Sequence, residues 1–523
     1  MTAQHRAHSV SDILRIIKAF EPRQAEPAMA TLRIGLHGLS RSYAEKPDKE
    51  KAYINTRFAK VMAAGDRHQK LLGASLLHEV TSAYEPLAKA AYWLRNWDMG
   101  LTERYHAWHY FMALPFDRVH RFSPFQRAKL NRHARRIYMR LFEDADRGLS
   151  LNLTSLPKPQ KNRRRVALSV AQFLGPRHAP TAAVMRMAKQ LQMRGFEAKI
   201  FNLNHIPTRT GSAFYTPCLA SVLDVFNGQK TIDLKDGIEA YFWQNRHYGL
   251  TQKSFDVFLD EVSDFAPDVW ITLGPGNLYA DLITSRIPSI SMPMTSSLCI
   301  GLPGAYGSVE PLSDLDIRLL AGVGITPEQT VDIPNGFALP PSGEPINRKQ
   351  FGLKREDFAV AIVSNRPEHD LPPPYLDQLE ALCEAAPTLR LRGFGAVPKH
   401  VDWTKHPHLS KKMVHCGFAS DLFASLSGFD AVLNPPRQGG GTSAAFAMAL
   451  GIPVFSLGGC DVATLVGEDF IWPDYERLLN DLADLAKAGP KEGLKQKAKA
   501  RWKVISDLDG QLDALIAGAQ VRP

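Results

Sequence analysis

Cysteine is scarce in this sequence of 523 residues: the five, Cys218, Cys299, Cys383, Cys416 and Cys460, are odd in number and scattered. None pairs with another at metal-ligand or redox spacing, so a disulfide framework and a zinc ribbon are excluded and reduced, mostly buried thiols remain. His406, His408, His415 and Cys416 lie close in sequence but fit no zinc template. Long apolar runs are absent too. No stretch approaches the roughly 18 to 20 apolar residues of a membrane helix, and the first twenty residues show no apolar run followed by a small-residue cleavage site. That pattern points to a cytoplasmic protein.

What is present is a soluble composition, 45% apolar and 22% charged, on a chain long enough for about three domains. The net charge of +10 is unevenly placed: residues 1–165 carry 30 Lys and Arg against 15 Asp and Glu, the remainder 33 against 38. A basic front suits an acidic partner surface, including anionic lipid at a membrane face. Apolar residues recurring at three and four steps in "LLGASLLHEVTSAYEPLAKAAYWLRNW" predict an all-α domain over residues 1–155. Within it, Ser123, Pro124 and Gln126 form a capping box, and Gly148 ends a helix carrying Arg127, Lys129, Arg132, Arg135, Arg136 and Arg140. No nucleic-acid module or set of stacking aromatics accompanies these cations, so no nucleic-acid partner is expected. Tyr105, Trp108, His109, Tyr110 and Phe111 read as core or an inter-domain face.

Behind the polar segment Ser155 to Arg165 the rhythm changes to strand, helix, strand. "VALSVAQFL", "FEAKIFNL" and "DVWITLGPGN" predict one parallel sheet; "FAVAIVSN", "LRLRGFG", "AVLNPP" and "IPVFSLGG" predict a second. A Pro-rich stretch near residues 335–350 separates them, giving lobes over 165–340 and 350–523 that enclose a cleft.

In "NPPRQGGGTSAAFAMALG" a buried strand ends at prolines, three glycines follow, and a helix begins that Gly451 closes. Unpaired backbone N–H groups and the positive end of the helix dipole converge there. Gly439, Gly440 and Gly441 let an anion approach without a Cβ in the way, and the hydroxyls of Thr442 and Ser443 add donors. A diphosphate meets these requirements. The pattern is neither a Walker loop nor the dinucleotide fingerprint.

The order of "VALSVAQFLGPRHAPT", "IPNGF", "FAVAIVSNRPEHD" and "NPPRQGGGTSAAFAMALGIPVFSLGGCDVATLVGEDF" resembles the GT-B glycosyltransferases, whose two Rossmann-like lobes clamp a nucleotide sugar. With "DVWITLGPGNLYADLITSRIPSISM" it is most similar to the protein O-GlcNAc transferase family, including its bacterial cytoplasmic N-glycosyltransferase branch, which also sets a helical domain ahead of the lobes. The resemblance implies an α/β GT-B fold behind an all-α domain, a UDP-type sugar as co-substrate, a polypeptide acceptor, and no other cofactor. It puts the diphosphate-binding hydroxyls on Thr442 and Ser443, behind Gly440 and Gly441, and the phosphate-neutralising cation near His369. Arg366 is the preferred cation there, because a guanidinium stays charged and binds phosphate bidentately. Two departures stand out: the ribose-holding acid falls on Phe446, and a histidine of the first lobe's Gly-rich turn falls on Gly276. The glutamate pair of retaining relatives falls on Gln438 and Phe446, which argues for an inverting reaction. His178, behind the first strand, is the candidate base. No Asp-x-Asp pair stands in the appropriate loop, so no metal is expected. A glycan or lipid-linked acceptor at a membrane surface, and a catalytically silent binding protein, stay open beside this reading.

Overall fold

The computed structural model describes residues 9–21, 25–36, 39–117, 121–159, 164–175, 178–202, 212–215, 228–234, 238–244, 250–294, 298–399 and 401–520. Cys218, residues 160–163 of the polar linker and residues 176–177 ahead of His178 lie outside them.

Eight helices and no strand occupy the described residues before Arg165. The expected capping box is formed: Ser123 Oγ accepts from the amide of Gln126 at 3.2 Å, and Gln126 Oε1 accepts from the amide of Ser123 at 2.9 Å. It starts the helix Pro124–Gly148. Trp108 and Phe111 are buried, and Trp108 Nε1 donates to the carbonyl of Ala134. Their cluster continues without a break into Phe255, Phe258, Trp270 and Tyr279, so the helices cover one face of the following sheet rather than standing apart from it.

That sheet contains β1 (Arg165–Val170), β2 (Glu197–Asn202), β3 (Gly228–Leu234), β4 (Ile238–Gln244), β5 (Val269–Leu273), β6 (Ser289–Met292), β7 (Ala305–Ser308) and β8 (Thr330–Asp332). Its order is β3-β4-β2-β1-β5-β6-β7-β8, parallel except for the β3–β4 pair. The second sheet contains β9 (Phe358–Ser364), β10 (Leu389–Gly395), β11 (Met413–Gly417), β12 (Ala431–Leu433), β13 (Val454–Leu457) and β14 (Ile471–Trp472). It is parallel throughout, in the order β11-β10-β9-β12-β13-β14. The near-continuous apolar burial of β1, β5 and β9 is what a parallel sheet covered on both faces requires.

One element departs from the boundaries read in the sequence. Residues 350–523 were expected to form the second lobe, but the helix Leu508–Gln520 packs on the first sheet, with Leu512 and Leu515 fully buried against Ile290, Ala305 and Val331. Burying each such side chain contributes about 1.5–3 kcal/mol, enough to commit the segment to that lobe. The chain therefore crosses between lobes twice, and the crossings touch: the amide of Phe337 donates to the carbonyl of Ile505 at 2.9 Å. Among the described residues no helix is long and apolar enough to cross a membrane.

Candidate active site

In the second sheet β9 and β12 are neighbours, while the chain runs outward from them in opposite directions, to β10 and β11 on one side and β13 and β14 on the other. The loops leaving their carboxyl ends must part, which leaves a crevice at that point of an open parallel sheet. The first of these loops carries Arg366 and the second is the glycine turn.

The turn's shape follows from its glycines, though not as the sequence suggested. Gly439 and Gly440 both have φ of 95°, which L side chains seldom adopt. A Cβ on Gly440 would also lie 2.5 Å from Arg437 Nη2. Gly441 is different: its Cβ would meet nothing nearer than Phe337 Cζ at 3.7 Å, so the fold does not require glycine there. Gly440 is the N-cap of the helix Gly441–Leu450. Among the described residues the amides of Gly440, Gly441, Thr442 and Ser443 donate to nothing, leaving the first turn of the helix with donors to offer. The amide of Gly439 is taken, by Asp461 Oδ2 at 2.7 Å.

The expected site residues divide into those that can meet a ligand and those that shape the turn. Thr442 is partly exposed. Ser443, expected to offer its hydroxyl outward, is instead 6% exposed and donates to the carbonyl of Gly440 at 2.8 Å. Gln438 is a tie, its Oε1 accepting from the amide of Asp461 at 3.2 Å and its Nε2 donating to the carbonyl of Gly459 at 3.3 Å. Arg366 reaches the turn, donating from Nη2 to the carbonyl of Gln438 at 3.0 Å. His369 Nε2 lies 3.8 Å from Glu368 Oε1.

Beneath the turn lies a polar cluster that the sequence did not announce. Asp370, 1% exposed, accepts from Ser364 Oγ at 2.6 Å and from Arg437 Nη1 at 2.9 Å, and its other oxygen is 3.7 Å from Arg366 Nη2. Arg437 also donates from Nε to Asn434 Oδ1 at 3.2 Å. A buried carboxylate shared by two guanidinium groups holds both loops in place. "NPPRQGGG" and "PEHD" show these charges in the sequence, but their burial is a property of the assembled lobes.

The first lobe reaches this turn past the carboxyl end of β7. Glu310, just past β7, is close enough to Asp461 that, with burial as the larger cause and Asp316 adding to it, its carboxyl is raised to about 7. His178 caps the helix Ala179–Met193 behind β1. Its Nδ1 lies 2.9 Å from Thr181 Oγ1, which also accepts the amide of Leu174, and burial lowers its proton affinity below the usual imidazole range. Burial thus favours the neutral ring, and Thr181 holds it in orientation. The two departures also have reasons. A Cβ on Gly276 would lie 2.3 Å from the carbonyl oxygen of Ile300, so no side chain fits there. Phe446 packs in the second lobe's core, edge-on to Phe423. Among the described residues no cluster of histidine, cysteine and carboxylate side chains could hold a metal ion.

No protein-family model and no curated protein matches the chain. Solved structures do. The O-GlcNAc transferase of Thermobaculum terrenum matches 99% of this chain and 97% of its own, at 16% identity and a TM-score of 0.52. HepE of Anabaena, solved with UDP, covers 68% of this chain and 100% of its own, at 15% identity and a TM-score of 0.46. WaaG, a glycosyltransferase involved in lipopolysaccharide biosynthesis, covers 68% of this chain and 98% of its own, at 13% identity and a TM-score of 0.43. The fold is GT-B. In the first match the likeness runs through the helical front as well as both lobes. Identities this low speak to the fold and leave the reaction to the site itself.

Proposed function

We propose that the protein is a nucleotide-sugar-dependent glycosyltransferase, moving a hexose or N-acetylhexosamine from a UDP-type donor to a polypeptide side chain. The observation that carries this reading is the glycine turn: helix-start amides with no internal acceptor, at the point where the second GT-B sheet opens, beside Arg366. In the reaction the acceptor hydroxyl or amide loses its proton as it bonds to the anomeric carbon. The bond from that carbon to the phosphate oxygen breaks, and the nucleoside diphosphate leaves with the electron pair. The amides of Gly441 and Thr442 and the Thr442 hydroxyl receive the negative charge that develops.

Inversion with no metal is the accompanying proposal, because Gln438 and Phe446 stand where a retaining pair of glutamates would and the charge is met by amides and arginine. His178, oriented by Thr181, is the candidate proton acceptor. Glu310, with its carboxyl raised to about 7 and standing near Asp461, is a second group suited to take a proton near neutral pH. A polypeptide acceptor is supported by the full-length likeness to an O-GlcNAc transferase, helical front included.

A binding protein without catalysis is the second reading, favoured by the filled space at Gly276 and the buried Phe446. Thermal-shift titration with UDP, followed by intact mass of co-expressed acceptor proteins, separates the two. Stabilisation with mass increments of one hexose or N-acetylhexosamine supports the transferase; stabilisation with no transfer to protein, glycan or lipid extract supports the binding protein. A melting point indifferent to every nucleoside diphosphate refutes both.

A further inference from the structure

We propose that Arg127, carried by the helical domain, is a phosphate-binding residue of the donor site, so that the leaving diphosphate is held by two domains rather than by the second lobe alone. The proposal rests on the transferase reading above and extends it to a residue 239 positions before Arg366 in the chain.

Arg127 lies in the first turn of the helix Pro124–Gly148, whose start is fixed by Pro124 and the Ser123–Gln126 capping box. Its Nη1 donates to the carbonyl of Phe122 at 3.2 Å, and its Nη2 to the carbonyl of Gly459 at 3.4 Å. That Gly459 oxygen is the one that accepts Gln438 Nε2 at 3.3 Å. One carbonyl thus joins the guanidinium of the helical domain to the residue that opens the glycine turn. A contact of 3.4 Å is long for an N–H donor and is readily exchanged for a shorter bond to phosphate oxygen.

Three other arginines on this helix have different work. Arg135 donates to the carbonyl of Leu298 at 3.0 Å and Arg136 to that of Gly322 at 3.4 Å, both in the first lobe. Arg140 pairs with Asp144 on its own helix. Among the described residues Arg127 is the member of the series that reaches the second lobe.

Charge makes the same case. Around the turn, Arg366 and Arg437 are offset by Asp370 and Asp461, and Glu310 beside Asp461 adds part of a negative charge near pH 7, so without Arg127 these groups carry no positive excess. A diphosphate brings at least two negative charges to a place where Asp461 already holds one amide. Arg127 leaves these groups net positive even before the helix dipole is counted.

The test is calorimetric titration of the full chain with whichever of UDP, GDP, ADP and TDP raises the wild-type Tm most, on wild type, Arg127→Gln and Arg127→Lys. A guanidinium–phosphate contact predicts a Kd about tenfold or more weaker for Arg127→Gln, an intermediate loss for Arg127→Lys, and a smaller difference with the matching monophosphate. Wild-type Kd in the folded variants, with or without a lower Tm of the free protein, makes Arg127 a clamp between domains and overturns the proposal. Should Arg127→Gln fail to fold, Arg127→Lys decides by the same criterion. Failure of the wild type to bind any of the four nucleotides would instead refute the transferase reading, and this proposal with it.

Discussion

Arg366 Nη2 lies 3.0 Å from the carbonyl oxygen of Gln438, and this bond, with that of Arg437 to Asp370, ties the loop leaving β9 to the glycine turn leaving β12. It places a permanent cation beside amides that have nothing else to donate to. Arg366→Ala is expected to weaken UDP binding by about 1.5–3 kcal/mol, ten- to a hundredfold in Kd, and to lower the melting point of the free protein as well, since the tie to Gln438 and a cation beside Asp370 are lost. Arg366→Lys should recover only part of this, since an ammonium cannot serve the carbonyl and a phosphate in one plane. Calorimetric titration decides it; an unaltered Kd in the alanine variant would remove Arg366 from the site.

Two adjacent glycines should respond differently. Gly440→Ala must place a side chain at φ 95° and push against Arg437, at a cost of at least about 1–2 kcal/mol in stability, and a lower Tm is expected. Gly441→Ala meets only an ordinary contact with Phe337, so it should melt like wild type yet bind UDP more weakly, because the new methyl stands where the anion approaches. Unchanged UDP affinity in Gly441→Ala would show that the anion lies elsewhere.

The cluster around Asp370 is expected to act as a unit. Asp370→Ala leaves Arg437, 8% exposed, without its carboxylate and should cost about 3–5 kcal/mol, whereas Asp370→Ala with Arg437→Met should cost less than the two single changes added. Chemical denaturation of the four proteins closes the cycle. Additive losses would mean that the pair is not coupled.

Asp281 supplies a pH dependence. It is buried between the helical domain and the first lobe, accepting from Tyr138 Oη at 2.6 Å and from the amide of Leu302 at 2.7 Å. Burial raises its carboxyl from 3.8 to about 7, against the opposing effect of those two hydrogen bonds. The folded state therefore keeps a proton that the unfolded chain gives up above pH 4, so the contribution of Asp281 to stability is lost as pH rises from about 4 to 7, while the buried His109, lowered to about 4, contributes with the opposite sign. Glu310 contributes with the same sign as Asp281, so the measurement that isolates Asp281 is the Tm of Asp281→Asn relative to wild type, which should rise across this window. Profiles that run parallel would show that Asp281 does not carry the effect.

The strand runs, the Ser123–Gln126 capping box, the Gly451 stop and the position of the glycine turn were legible because each is a local matter of apolar spacing, cap chemistry or backbone freedom. The return of the helix Leu508–Gln520 to the first lobe was not, since an amphipathic helix names no partner for its apolar face. Arg127 and Glu310 stood outside the quoted runs, and Asp461 stood within one without showing its role, for a similar reason: no spacing along the chain links residue 127 to residue 459.

By itself the sequence determined the two parallel sheets, the helical front and a bare helix start between a strand and a buried helix, all consequences of interactions within a few residues. Tertiary structure alone decided which glycine is indispensable, that Ser443 spends its hydroxyl inside the turn, and that a carboxylate beneath the turn holds Arg437 and stands close to Arg366. Those outcomes depend on which groups are brought together out of water. That is settled only when the loops of separate strands, and a helix from another domain, arrive at one place.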